Sequence, residues 1–209
     1  MNDAHLSRPG PLDAAAPAAG AHEERLRQVE EDIRRLLRDL GEDPEREGLR
    51  ETPRRVAKMY LEELLVGQGA DLKAELSTTF AEDHRELVMV RAIPFYALCE
   101  HHLMPFFGQA HVGYLPDGRV VGLSKLARLV ERAARRMTIQ ERLTTEVADA
   151  IVSVLRPKGV MVVVEAEHFC MTMRGVQKPG TITTTTAVRG LFAESEAARM
   201  EFLRLMGRA

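Results

Sequence analysis

The apolar positions of this chain switch between helical and strand periods as it is read from the amino terminus. "EERLRQVEEDIRRLLRDL", from Glu23, places Leu26, Val29, Ile33, Leu36, Leu37 and Leu40 on one helical face, and Gly41 is a natural stop. A second helix is predicted at "TPRRVAKMYLEELLVG", with Thr52 as N-cap and Pro53 at the first helical position. Val56, Met59, Tyr60 and Leu64 form its expected buried stripe. Arg54, Arg55 and Lys58 fall near the polar side, and spacing alone reads them as a solvated face.

From Glu86 the period shortens. "ELVMVRAIPFYAL" and "GQAHVGYLP" read as strands, and "DGRVVGL" as a turn with a short extended piece. Two long helical patterns follow, "SKLARLVERAARRM" with Ser124 as cap and "QERLTTEVADAIVSVLR" ended by Pro157 and Gly159. "VMVVVEAEHFC" and "TITTTTAV" return to strands, and "ESEAARMEFLRLM" closes the chain as a helix. Two strands, two helices and two strands predict an α+β domain, with the helices on one face of a largely antiparallel sheet. The run Thr183 to Thr186 suits a strand with one wet face.

The first 22 residues are rich in Ala, Pro and Gly, with almost no large apolar side chains, and read as a disordered tail. The expected organisation is a tail over 1–22, a helical region over 23–85 and a catalytic domain over 86–209. Charged residues make up 29% of the 209, and the formal net charge is −2. That balance argues against nonspecific nucleic-acid binding, which shows a basic excess. The start lacks the apolar stretch of a signal peptide, and "VMVVV" is far too short to span a bilayer. A cytoplasmic protein without a membrane partner is expected.

There are only two cysteines, and each has histidine close by: "CEHH" at Cys99 to His102, and "HFC" at His168 to Cys170. In a reducing compartment such pairs point to metal or catalysis rather than to a disulfide. Thiolate and imidazole suit zinc, and Cys-x-x-His spacing lets Cys99 and His102 converge from one turn, with Cys170 as a third ligand from a distant strand. Three protein ligands leave a fourth position for water, the catalytic arrangement. If His101 or His168 filled it, the site would be closed and structural. In an open site those two imidazoles are spare groups able to move protons near neutral pH. Ser124, Lys125 and Arg128 mark a helix start that could attract phosphate, and Arg174 follows Cys170 closely enough to reach the same pocket. Gln140 and Glu141 open another helix, where a carboxylate either stabilises the helix dipole or accepts hydrogen bonds from a purine edge.

Taken together, "CEHHLMPF", "GLSKLAR", "QERLT" and "HFCMTMRGV" resemble type I GTP cyclohydrolase, and "ETPRRVAKMY" and "TTTTAVRGLF" extend the match from Glu23 to the C-terminus. The resemblance implies a tunnelling fold and conversion of GTP and water to formate and 7,8-dihydroneopterin triphosphate. It implies Zn2+ held by Cys99, His102 and Cys170, catalytic roles for His101 and His168, and Ser124 near the ribose and the reacting centre. It assigns Glu141, with Gln140, to guanine, and Lys125, Arg128, Arg174 and Arg55 to the triphosphate. Arg55 is thereby moved off the solvated face. The implied assembly is a homo-oligomer, a decamer of two stacked pentamers with pockets at subunit junctions. Thr138 and Arg189 depart from residues common in relatives, and neither position carries a chemical role. A competing expectation is a nucleotide-responsive assembly protein whose metal is structural.

Overall fold

The computed structural model describes residues 19–207, so residues 1–18 of the expected tail lie outside the described residues. The backbone divides into two compact units, one up to Val66 and the other from Gly67.

The first unit is helical. Helix α1 spans Ala19–Asp39 and so begins four residues before the expected start at Glu23. Its face packs through Leu26, which is 2% exposed, whereas Leu36 and Leu40 of the same apolar stripe stay exposed. Helix α2 spans Thr52–Lys58 and begins one residue before the expectation, with Glu51 as N-cap. Pro53 occupies the first turn, where a missing N–H costs nothing. The helix then widens into a π-helical turn at Met59–Leu64, closed by a bond from Leu65 N–H to the Tyr60 carbonyl. Val56, Met59, Tyr60 and Leu64 are half-buried, and the fully buried side chains are Pro53 and Ala57.

The second unit is built on a five-stranded sheet in the order β5-β2-β3-β6-β7. Strand β2 spans Val88–Cys99, β3 Pro105–Leu115, β6 Gly159–His168 and β7 Ile182–Gly190, all paired antiparallel. Strand β5 is only Met137–Thr138 and runs parallel to the end of β2, so the sheet is mixed. A separate ribbon pairs β1 (Thr79–Ala81) with β4 (Arg119–Val121). Helix α3 (Leu123–Ala134) and helix α4 (Gln140–Leu155) cover one face of the large sheet, as the element order predicts. Period-2 alternation puts Phe95, Phe106, Val112, Val162 and Val164 on that face, all nearly or fully buried against Leu126, Leu129, Leu143 and Ile151.

The other face is not bare. Short helix α6 (Leu191–Glu194) and closing helix α7 (Glu196–Met206) bring Phe192 and Phe202 against Met161 and Val163. Residues 67–85, assigned to the helical region by pattern, belong to this second unit. A 3-10 turn at Leu72–Leu76 buries Leu72 and Leu76 in the main core, and β1 pairs with β4. The α3 cap also differs from expectation: Gly122 is the N-cap and Ser124 is the second helical residue, exposed. No helix among the described residues is long and apolar enough to cross a membrane.

Candidate functional site

The β2–β3 hairpin turns at Cys99–Met104. Its ends are closed by Cys99 N–H bonding to the Met104 carbonyl at 2.9 Å, and Leu103 N–H returns to the Cys99 carbonyl at 2.9 Å. Glu100 N–H donates to the Thr138 carbonyl on β5, which fastens the turn to the start of α4. This compact turn carries Cys99, buried at the strand end, and the exposed His101 and His102.

The β3–β6 register puts Phe106 opposite His168. Strand β6 ends at His168, and the chain turns into the one-turn helix α5 (Phe169–Thr172), which carries Cys170. Remote segments therefore meet because two antiparallel pairings align the end of β2, the start of β3 and the end of β6. One ligand atom each of Cys99, His102 and Cys170 falls within 4.8 Å of the others, so this group could hold a metal ion. Both thiols are free. Burial pushes the Cys170 thiol up, and the adjacent Cys99 sulfur pushes the same way, while Arg174 pulls against them. A cation between the sulfurs would reverse that balance, since a coordinating thiol is bound as thiolate.

These three residues line a cleft of about 270 Å³ together with His101, Glu141 and His168. His168 is half-buried, its ring stacked on Phe106 with centroids 4.6 Å apart and planes 2° from parallel. Burial lowers its pKa from the ordinary value, and the nearby Glu141 carboxylate opposes that shift. The neutral imidazole is thus favoured near neutral pH. Gln140 also lines the cleft, but its side chain is 1% exposed and hydrogen-bonded to His168, Val164 and Thr183. Arg174 Nη1 lies 3.4 Å from His102 Nε2, at the rim.

Three expected residues are placed elsewhere in the second unit. Ser124, Lys125 and Arg128 stand on the first turns of α3 and do not line this cleft. Arg55 is exposed on α2 in the first unit.

Phe106 in the cleft, and Arg142 and Glu167 on segments next to it, carry no sequence signal strong enough to mark them. Phe106 supplies the stacking face, and its signal was only an apolar residue after "HHLMP". Arg142 reaches both carboxylate oxygens of Glu100, so the hairpin turn is held to α4 by a fork. Glu167 accepts from the Thr172 hydroxyl at 2.8 Å and from Gly180 N–H at 3.1 Å, which draws the carboxyl below its usual range and braces the segment after Cys170. Glu100 sits inside "CEHH", so its position pointed to the site although its partner could not be read.

Comparison with known proteins places these residues in a family context. Residues 29–207 match the family model described as GTP cyclohydrolase I. A protein of Halalkalibacterium halodurans named GTP cyclohydrolase 1 is 59% identical over 180 residues, covering 86% of this chain and 95% of that protein. A protein of the same name from Geobacillus kaustophilus is also 59% identical, with the same coverage. Another of that name, from Streptococcus pyogenes, is 56% identical over 86% of this chain and 92% of its own length.

Proposed function

We propose a function from one premise: the chain belongs to the GTP cyclohydrolase I family. The proposed reaction is hydrolysis of GTP to formate and 7,8-dihydroneopterin triphosphate, the entry step to tetrahydrofolate or tetrahydrobiopterin. The observation that carries it is the Cys99, His102 and Cys170 cluster opening into a cleft that His101, His168 and Glu141 also line.

Two sulfurs and one imidazole are a zinc donor set, and three protein ligands match the open arrangement of catalytic sites. Zinc held there would act as a Lewis acid and make water nucleophilic near neutral pH. The remaining work falls to the chain. Glu141 accepts from the guanine ring N–H and amino group and so directs carbon 8 toward the cysteines, a positioning role. Water adds at carbon 8 while His168 or His101 gives a proton to the adjacent ring nitrogen. The imidazole ring opens to a formamide, a second water cleaves this to formate and a free amine, and the rearranged ribose condenses with that amine, losing one water, to build the pterin. Arg174, Lys125 and Arg128 neutralise the triphosphate, and Ser124 lies near the ribose.

We propose the tunnelling fold and a homodecamer of two pentamers for the assembly. Strand β7 is nine residues long and terminal in the sheet, and Ile182 at its start is 54% exposed. An edge of that length favours pairing with another chain. Ser124, Lys125 and Arg128 lie outside the cleft of their own chain, which fits a pocket completed by a neighbouring copy. A cytoplasmic location suits two free cysteines that must stay reduced.

The test is an anaerobic assay of the purified protein with GTP, following formate and the absorbance of the pterin. The expected result is about one zinc per chain and turnover that a chelator abolishes. GTP bound without consumption, or turnover undiminished in Cys170→Ala, would overturn the proposal.

A further inference from the structure

Gln140 is the first residue of α4, and almost none of it is exposed. A buried primary amide at the edge of a polar cleft has to satisfy two donors and an oxygen. Here Nε2 donates at 2.9 Å to the Val164 carbonyl on β6 and at 2.9 Å to the Thr183 carbonyl on β7. Both of those partners are main-chain oxygens, which only accept. Turning the amide over would press Oε1 against two carbonyl oxygens, so the orientation is fixed by chemistry rather than by a choice between equivalent networks.

The consequence reaches the imidazole. Gln140 Oε1 is 2.7 Å from His168 Nε2, and an amide oxygen can only accept. His168 Nε2 must therefore carry a hydrogen. In the neutral ring that leaves Nδ1 as the basic nitrogen. The ring plane is set independently by Phe106, stacked 4.6 Å away and within 2° of parallel. The amide itself is held at its root: the Thr144 hydroxyl donates to the Gln140 carbonyl at 2.7 Å and lies 2.6 Å from the Thr185 hydroxyl.

We propose that Gln140 is a positioning residue for His168, fixing the imidazole as the Nε2–H tautomer and assigning proton transfer to Nδ1. Its side chain acts through His168 and leaves guanine recognition to Glu141. The proposal rests on the cyclohydrolase reading for its catalytic meaning, while the tautomer it assigns stands on the hydrogen bonds alone.

Two experiments on the full-length, zinc-loaded protein test it separately. The first records 15N spectra with labelled histidine, the His168 signals being identified by their loss in His168→Asn. A protonated Nε2 and a bare Nδ1 are expected, and a proton on Nδ1 overturns the proposal whether or not the protein turns over GTP. The second compares kinetics of Gln140→Met and Gln140→Glu, with zinc content and melting temperature recorded for each. Gln140→Met should lower kcat by about ten- to a hundredfold, with KM for GTP changed less than about twofold. Gln140→Glu, whose second oxygen would face the Val164 and Thr183 carbonyls with no hydrogen to give them, should lose kcat as well. A raised KM with kcat unchanged would assign Gln140 to the substrate and overturn the proposal. If Gln140→Met does not fold, the 15N spectrum of the unaltered protein still decides. Absence of GTP turnover in the unaltered protein would overturn the cyclohydrolase reading and leave the tautomer assignment to the spectrum.

Discussion

Arg142, on the first turn of α4, grips both carboxylate oxygens of Glu100, which sits between two of the metal-ligand candidates on the β2–β3 turn. The contact pulls the Arg142 pKa up and the Glu100 pKa down through the hydrogen bonds they share. Both groups are open to solvent, so the pair adds little to global stability. Its effect is local: it holds the Cys99–His102 turn against the helix that presents Glu141. Arg142→Met should therefore leave the melting temperature nearly unchanged while weakening zinc retention and turnover by about tenfold or more. Competition with a chelator measures the first, and GTP turnover the second. A large drop in melting temperature with normal zinc affinity would contradict this division.

Gly108 makes the β3–β6 register possible. A Cβ built there would come within 1.8 Å of the Glu165 carbonyl oxygen and 2.7 Å of the Ala166 Cα, both main-chain atoms with little room to yield. Gly108→Ala should force the two strands apart and cost about 3 kcal/mol or more. Because that register aligns Phe106 with His168, zinc binding should fall with stability. Urea unfolding and zinc content on the same preparation check both.

Much of the second unit was legible because its strands and long helices carry clear periods, and the residue types of Cys99, His102 and Cys170 marked them as a group that could hold a metal ion. What could not be read was anything decided by register or by a brief tertiary contact. Strand β5 has only two residues, too few to show a period, and exists because Thr138 lies beside Cys99. Leu72 and Leu76 are isolated apolar residues in a polar stretch, and only packing against the core gives them meaning. Ser124 looked like a cap because it precedes a basic helical turn, yet Gly122 is the cap and the helix starts two residues earlier than a serine cap would start it. Gln140 at a helix start suggested a group facing solvent or substrate. Its burial follows from the close approach of α4 to the β6 and β7 carbonyls, which no local pattern encodes.

Tyr114 provides a pH signature independent of the cleft. It is fully buried, and its hydroxyl oxygen accepts from Val121 N–H at 3.1 Å, linking β3 to β4. Burial raises its pKa above the usual phenol value, with the Val121 bond opposing. A group with a raised folded pKa contributes stability that is complete below the unfolded value of about 10 and is lost as pH rises through the folded one. Denaturant unfolding followed from about pH 8 to about pH 11 should show this alkaline loss. In Tyr114→Phe that component should disappear, while stability at neutral pH drops by about 1–3 kcal/mol because Val121 N–H loses its acceptor.

Glu141 lines the cleft with an exposed carboxylate, so its removal should spare the fold and affect the substrate. Glu141→Ala should raise KM for GTP on the order of ten- to a hundredfold, the value of a charged hydrogen bond to the base. Zinc content should be unchanged. A substrate lacking the guanine amino group should discriminate less between the variant and the unaltered enzyme than GTP does. Equal losses for both substrates would place Glu141 outside base recognition.

The separation between α3 and the cleft leads to the last prediction. Lys125 stands on the first turn of α3, outside the cleft that His168 and Cys170 line. If a neighbouring copy supplies the cation, a pocket contains one chain's Lys125 and another chain's His168. His168→Ala and Lys125→Ala, each inactive or nearly so alone, should then complement when co-expressed or mixed by reversible dissociation. Some junctions in the mixed assembly would pair an intact Lys125 with an intact His168, while a pocket built from one chain could never combine the two. Turnover recovered only after mixing, in an assembly whose size is unchanged, is the expected outcome. Mixed assemblies that form normally and remain as inactive as their parents would return both residues to a single chain's pocket.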